Sequence, residues 1–279
     1  MAEPLQDFLS RQLSTQPYLI GNGILPVKGK CILGGEPKHN KSFVVINMML
    51  DLARGRALFG ATRRNGRPIC PIDQKYRVLY IEQELGELGL QKRLRRILAE
   101  QKLEGLELFV KTKDTAMRLD TPEGRDFIRN EVASVMPHVL ILDPMAKFHL
   151  SEENSSQEMG MVMRVCDHLI EEFNVSIIIV HHIKKQSFEN PARGGDKLRG
   201  SSAIFGDVDT FIELERLSPG SVLEPTLRLS FELRQAEPLE QMYLRRLSTG
   251  ECIYLGEEFR WGRATEGALS NSRNKFKGL

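Results

Sequence analysis

Four short, unbroken aliphatic runs stand out along the chain. They are Lys30-Cys31-Ile32-Leu33, Arg77-Val78-Leu79-Tyr80-Ile81, His138-Val139-Leu140-Ile141-Leu142 and Val175-Ser176-Ile177-Ile178-Ile179-Val180. None alternates strictly between apolar and polar, which is how a strand reads when both its faces are covered. Residues 43–54, 88–100 and 155–173 carry apolar positions at helical spacing. Strands alternating with helices predict βαβ units, right-handed crossovers and a parallel sheet. Residues 210–214 and 226–233 alternate more, with Ser218-Pro219-Gly220 as a turn signal between them, and 241–247 and 252–255 follow. This last group predicts an antiparallel extension at the C-terminal end.

Leu5, Phe8, Leu9 and Leu13 suit one face of a short helix ahead of the first run. Residues 1–25 are therefore expected to form an N-terminal arm that packs on the chain or docks on a neighbour. Residues 26–264 then make one α/β domain, and 265–279, mostly small and polar, a flexible tail.

Composition narrows the class without choosing a function. A chain of 279 residues that is 41% hydrophobic can bury one sizeable core. The balance of 39 basic against 37 acidic residues, net +2, neither requires nor excludes nucleic acid. Cys31, Cys70, Cys166 and Cys252 are widely spaced with no CxxC pair, which disfavours a zinc site or a disulfide framework. The first residues lack a signal-peptide pattern and no stretch approaches 18 apolar residues, so a soluble, cytoplasmic protein with no membrane partner is expected.

The chemistry-bearing residues sit at the ends of the aliphatic runs. Gly35-Glu36-Pro37-Lys38-His39-Asn40-Lys41-Ser42-Phe43 follows the first run and opens a helix. It approximates GxxxxGK[ST], in which backbone N–H groups cradle phosphates, the Lys meets the β/γ oxygens and the hydroxyl faces Mg²⁺. Asn40 replaces the second glycine, and Asn is the non-glycine residue that best tolerates positive φ. Asp143 closes the third run, at the strand edge where such sheets bind ligands, and would hold Mg²⁺ opposite Ser42. Glu82-Gln83-Glu84 offers a carboxylate to orient a water, and strand parity does not choose between Glu82 and Glu84. His181 and His182 end the fourth run, where a polar side chain can sense a γ-phosphate. Beyond them Lys184, Lys185, Arg193, Lys197 and Arg199, with Phe188 and the Gly194-Gly195 pair, make a basic segment suited to phosphate backbones and stacked bases.

Together GEPKHNKS, VLYIEQE, VLILDP, IIIVHH and LRGSSAI resemble the RecA-fold ATPases, and within them the RepA-like plasmid replicative helicases and AAA_25-type relatives. The resemblance covers residues 25–235. It implies a RecA-like P-loop NTPase core of α/β class: a mostly parallel twisted sheet flanked by helices, with the antiparallel extension. It implies ATP and Mg²⁺ as ligands and Lys41 and Ser42 as the Walker A pair. Asp143 becomes the Walker B acid, Glu84 rather than Glu82 the catalytic carboxylate, and His181 and His182 the sensor. It also implies homo-oligomers, hexameric rings in that family, that act on single-stranded DNA. Each neighbour would supply an arginine finger, assigned to Arg234 with Arg199 as the alternative. Two rivals remain: a nucleotide-gated DNA-binding or assembly module with little turnover, and a small-molecule kinase whose lid is the basic helix carrying Arg93, Arg95 and Arg96.

Overall fold

The computed structural model describes residues 3–11, 17–99, 103–152, 155–183, 202–217 and 221–258. Lys184, Lys185, Phe188, Arg193, Gly194, Gly195, Lys197, Arg199 and the 265–279 tail lie outside the described residues. The elements run α1 Leu5–Ser10, β1 Tyr18–Ile20, β2 Leu25–Pro26, β3 Lys30–Gly35, α2 Lys41–Arg54, β4 Val78–Glu82, α3 Gly86–Leu98 and β5 Leu108–Lys111. They continue with α4 Pro122–Val135, β6 Val139–Asp143, α5 Ser156–Phe173, β7 Ser176–His182, α6 Ser202–Gly206, β8 Thr210–Arg216, β9 Thr226–Leu233, β10 Met242–Arg246 and β11 Cys252–Gly256. No helix among the described residues is long and apolar enough to cross a membrane.

Nine strands form one sheet in the order β11-β10-β9-β8-β3-β7-β6-β4-β5. The six from β8 to β5 are parallel, and β9, β10 and β11 extend the sheet antiparallel. Alternate strand residues face opposite layers, as the two-residue strand period requires. Cys31, Leu33, Val78, Tyr80, Val139, Ile141, Ile178 and Val180 pack with Val44, Val45 and Met48 of α2 and Leu90 and Ile97 of α3. Ile32, Leu79, Ile81, Leu140, Leu142, Ile177 and Ile179 pack with Ile128 and Val132 of α4 and Met159, Met163 and Cys166 of α5. Helices thus cover both faces, which is why the strands read as continuous aliphatic runs.

Three expectations shift. The 210–214 segment was expected to open the antiparallel extension, but β8 runs parallel to β3, with Cys31 level with Thr210 and Gly35 level with Leu214. Burial explains it: Thr210, Phe211, Ile212 and Leu214 are covered on both faces, like the central strands. Ordered packing also begins before residue 26, because Leu19, Ile20, Ile24 and Leu25 of the β1–β2 hairpin lie in the core. Finally, β5 and α4 form a βα unit that the aliphatic runs did not announce. Ahead of all these, α1 buries none of its residues, and Leu5, Phe8 and Leu9 are exposed.

A buried lysine fixes the start of β3. Lys30 Nζ donates to Asp167 of α5 at 2.5 Å and to Asp207, just past α6, at 2.6 Å. Burial lowers the Lys30 pKa, but the two carboxylates outweigh it and the net shift is upward. The ion network therefore ties the helix after the undescribed basic segment to the strand that leads into the 35–42 loop.

Candidate nucleotide site

β3 connects through α2 to β4 on the far side of β7 and β6, so its C-terminal end lies where connections diverge to opposite sides of the strand order. Ligands of open α/β sheets bind at such points. Gly35 is level with His182 on β7 and Leu214 on β8, and Glu82 is level with Asp143. The register alone brings the residues at the ends of β3, β4, β6 and β7 to one edge. Gly35 is required by close approach: a Cβ there would lie 2.8 Å from the Leu214 carbonyl oxygen.

The loop after Gly35 turns through two left-handed residues, Lys38 at φ 67° and Asn40 at φ 70°. Such reversals of backbone hand can turn neighbouring N–H groups toward a common concavity, a conformation suited to an anion cradle. Asn40 reaches this conformation without a glycine and caps α2, its carbonyl accepting from Phe43 N at 3.0 Å and Val44 N at 3.1 Å. The α2 N-terminus adds its partial positive charge to the cradle. Asn40→Gly is expected to keep or raise thermal stability and nucleotide affinity. Asn40→Ala is expected to cost about 1–2 kcal/mol, the ordinary left-handed penalty. Melting curves and nucleotide titration of the two variants check this, and equal behaviour would show that backbone hand is not what position 40 supplies.

Lys41 is buried, and its Nζ lies 2.7 Å from Gly35 O, 3.0 Å from Glu36 O and 3.0 Å from His182 Nδ1. An ammonium only donates, so His182 Nδ1 accepts and the ring proton sits on Nε2. His181, one residue earlier, is buried on the other face of β7. Within the loop His39 lies 3.8 Å from Glu36, and burial pushes its imidazole below the usual range against that carboxylate's pull.

Asp143 is buried and accepts from Tyr80 Oη at 2.7 Å and from the Ser42 hydroxyl. Burial, aided by the charges of Glu82 and Glu84, pushes its carboxyl up to about 6 despite these two donors. Tyr80 was not foreseen as a site residue, because a tyrosine inside an aliphatic run reads as core. Its shared parity with Glu82 on β4 was the available signal.

The two glutamates separate clearly. Glu82 is buried, and its carboxylate accepts from Glu84 N at 2.8 Å, Leu85 N at 2.6 Å and Gly86 N at 3.1 Å. It is committed to capping the start of α3. Glu84 is exposed at the same edge, free of that duty. Between them Gln83 turns to the opposite side, donating to Met117 Sδ and accepting from Asp114 N.

Other expected site residues fall elsewhere. The Phe43 ring has the Arg93 guanidinium 4.4 Å and the Arg246 guanidinium 4.9 Å from its centroid, and it touches Gly250 in the β10–β11 turn. Asn47, one turn on, donates to Gly250 O at 3.1 Å and accepts from Cys252 N at 3.1 Å. The hairpin is thereby fastened to α2, an arrangement that sequence spacing gave no means to foresee. Arg93 is engaged on Phe43, and Arg95 and Arg96 lie exposed further along α3. Arg234 lies at the opposite end of the sheet, beside the Leu233–Thr210 pair, with its guanidinium donating to Gly206 O.

The donor set fits a nucleoside triphosphate with Mg²⁺: a left-handed loop at a helix N-terminus, a buried ammonium, and a hydroxyl bonded to a buried carboxylate. The AAA_25 family model, an AAA domain, matches residues 2–187. The chain belongs to the AAA_25 family. The AAA_25 match takes in the loop, both glutamates, Asp143 and the histidine pair, and it ends before β8. Among solved structures, a KaiC-like protein from the hyperthermophilic archaeon Pyrococcus horikoshii OT3 superposes with a TM-score of 0.55 at 13% identity. The alignment covers 85% of this chain and 94% of that one, so the shared fold extends into the strands beyond the AAA_25 match. No curated protein matches the chain. This AAA_25 chain is a RecA-like P-loop ATPase domain.

Proposed function

We propose that the chain binds and hydrolyses ATP with Mg²⁺ and, as a homo-oligomer, acts on single-stranded DNA. The observation that carries the nucleotide half is the convergence of Lys41, Ser42, Asp143 and His182 at one sheet edge, linked by the Lys41–His182 and Ser42–Asp143 bonds. Loop N–H groups would hold the phosphates, and Lys41 would meet the β/γ oxygens. Ser42 and Asp143 would hold Mg²⁺, which supplies charge neutralisation when bound. Glu84 would orient a water and take its proton as the water oxygen bonds to the γ-phosphorus. The bond from that phosphorus to the bridging oxygen then breaks, and ADP leaves. His182, with Nδ1 on Lys41, is suited to report the γ-phosphate to the segment that follows.

The DNA half rests on the basic residues Lys184, Lys185, Arg193, Lys197 and Arg199, which directly follow this sensor in sequence. An arginine from a neighbouring chain completes the proposal. Arg234 faces Gly206 at the far end of the sheet, so a neighbour would have to sit offset along the strands to present it. The deciding experiment measures ATP turnover with and without single-stranded DNA alongside sedimentation. DNA-stimulated turnover by a six-fold assembly is expected. Negligible, DNA-indifferent turnover would favour a nucleotide-gated binding module, and a monomer with full ATP binding would favour a kinase.

A further inference from the structure

Between Arg54 and Arg77 the chain carries seven basic residues and a single acid, Asp73, against near balance overall. Of these, Arg56 pairs with Asp51 at 2.9 Å, Arg77 pairs with Glu107 at 2.7 Å, and Arg54 feels the charges of Asp51 and Glu251. Three others, Arg63, Arg64 and Arg67, occupy the tip of a small hairpin, and among the described residues none of the three enters an ion pair. Every residue from Thr62 to Pro68 is exposed, whereas Ala61, Ile69 and Cys70 at the stem are buried in the core.

The hairpin is built to hold its shape. Thr62 bridges Pro68, Arg63 N donates to Arg67 O at 2.8 Å, and Gly66 N closes the turn on Arg63 O at 2.9 Å. Gly66 adopts φ 79°, and Arg67 N is held at 3.0 Å by the Asn65 side chain. A turn closed in this way and followed by a left-handed glycine is a standard short hairpin connection. The stem is bonded to the core through Ile69 N to Ala61 O at 2.9 Å and Leu58 N to Cys70 O at 3.0 Å. Arg63 and Arg67 oppose each other across the hairpin, so their side chains start about 5 Å apart on one face. The hairpin follows the C-terminal end of α2, whose 14 residues span roughly 21 Å from the phosphate loop.

We propose that this arginine hairpin is a docking surface for the phosphate backbone of a nucleic acid, separate from the nucleotide edge and distinct in sequence from residues 184–199. All three cations are arginines, whose planar forks match phosphate oxygens bidentately and lose little freedom on a fixed turn. The tip, Thr-Arg-Arg-Asn-Gly-Arg-Pro, offers no large apolar side chain. A protein partner needs a buried anchor and a membrane surface an apolar face to insert, and the tip supplies neither. The proposal shares the DNA-acting reading in the class of ligand but does not depend on the 184–199 segment.

The test compares three full-length proteins: wild type, the R63A/R64A/R67A triple variant, and a variant with Lys184, Lys185, Arg193, Lys197 and Arg199 changed to Ala. Fluorescence anisotropy follows binding to one oligonucleotide, single-stranded and duplexed, over a series of salt concentrations. Poly-glutamate serves as competitor, and labelled ATP checks the nucleotide site. The triple variant should keep ATP affinity and its melting temperature while losing about tenfold or more in nucleic-acid affinity. Its log–log salt slope should fall by about two for single strands and about three for the duplex. Unchanged affinity and slope in the triple variant would overturn the hairpin, while loss in the other variant alone would leave the DNA reading standing. Competition by poly-glutamate as effective as by DNA would overturn the choice of partner, and a wild type that binds neither strand form would sink both readings.

Discussion

A Glu84→Gln variant is expected to bind ATP as wild type does and to hydrolyse it about two to three orders of magnitude more slowly, the usual worth of a positioned general base. The amide keeps the shape and still orients a water but takes no proton. Glu82→Gln should do the reverse. Its carboxylate accepts three backbone N–H groups at the start of α3, and an amide puts an NH₂ where acceptor oxygen is needed. A buried donor left facing donors costs about 1–3 kcal/mol, so the variant should melt earlier. Its turnover well below the melt should stay within about tenfold of wild type, since Glu84, the proposed proton acceptor, is retained. Single-turnover hydrolysis and thermal melts on both proteins decide it. If Glu82→Gln abolishes turnover with an unchanged melt and Glu84→Gln is silent, the roles are exchanged.

Gly124→Ala should be among the most disruptive single-methyl additions in the chain. An added Cβ would lie 2.2 Å from Arg118 O, 2.4 Å from Arg118 N and 2.8 Å from Ala116 O. All three are backbone atoms, which cannot swing aside as a side chain would. The collision falls in the first turn of α4, where Thr121 Oγ1 accepts from Gly124 N at 3.1 Å. The same loop carries Asp114 and Met117, which hold Gln83 between the two glutamates. Overpacking of this kind costs about 3 kcal/mol or more, roughly 6 °C or more in melting temperature for a domain of this size. A melt within about 1 °C of wild type would show that the loop does not pack on Gly124 this way.

Much of the fold could be read from the chain because its central strands are covered on both sides, leaving no polar interruption in the aliphatic runs. β5 escaped for the opposite reason. It is an edge strand of four residues, and Phe109 and Val110 are both exposed. α4 buries only Ile128 and Val132 among its apolar residues, so its stripe is thin, although Thr121-Pro122 was a legible start signal, a capping hydroxyl followed by proline at the first position. At the site, residue types at strand ends were enough to nominate Lys41, Ser42, Asp143 and the glutamate pair. The family resemblance already preferred Glu84 to Glu82, but a physical reason to separate them needed the positions of three N–H groups, information that parity cannot carry. The Tyr80–Asp143 and Asn47–Gly250 bonds join residues 63 and 203 apart, and local pattern holds no trace of either.

The fastening of the β10–β11 turn to α2 sets a lower limit on what can work as an autonomous nucleotide-binding unit. The matched stretch ends at residue 187, before β8 provides the wall behind Gly35 and before Gly250 wedges against Phe43 and Ile97. A polypeptide cut at that boundary would keep Lys41, Ser42, Asp143 and His182 yet expose one flank of β3 and release the helix that begins with Lys41. For this chain, modularity in sequence and modularity in folding do not coincide: the last two strands act as a keystone for the helix that begins at Lys41, some two hundred residues earlier.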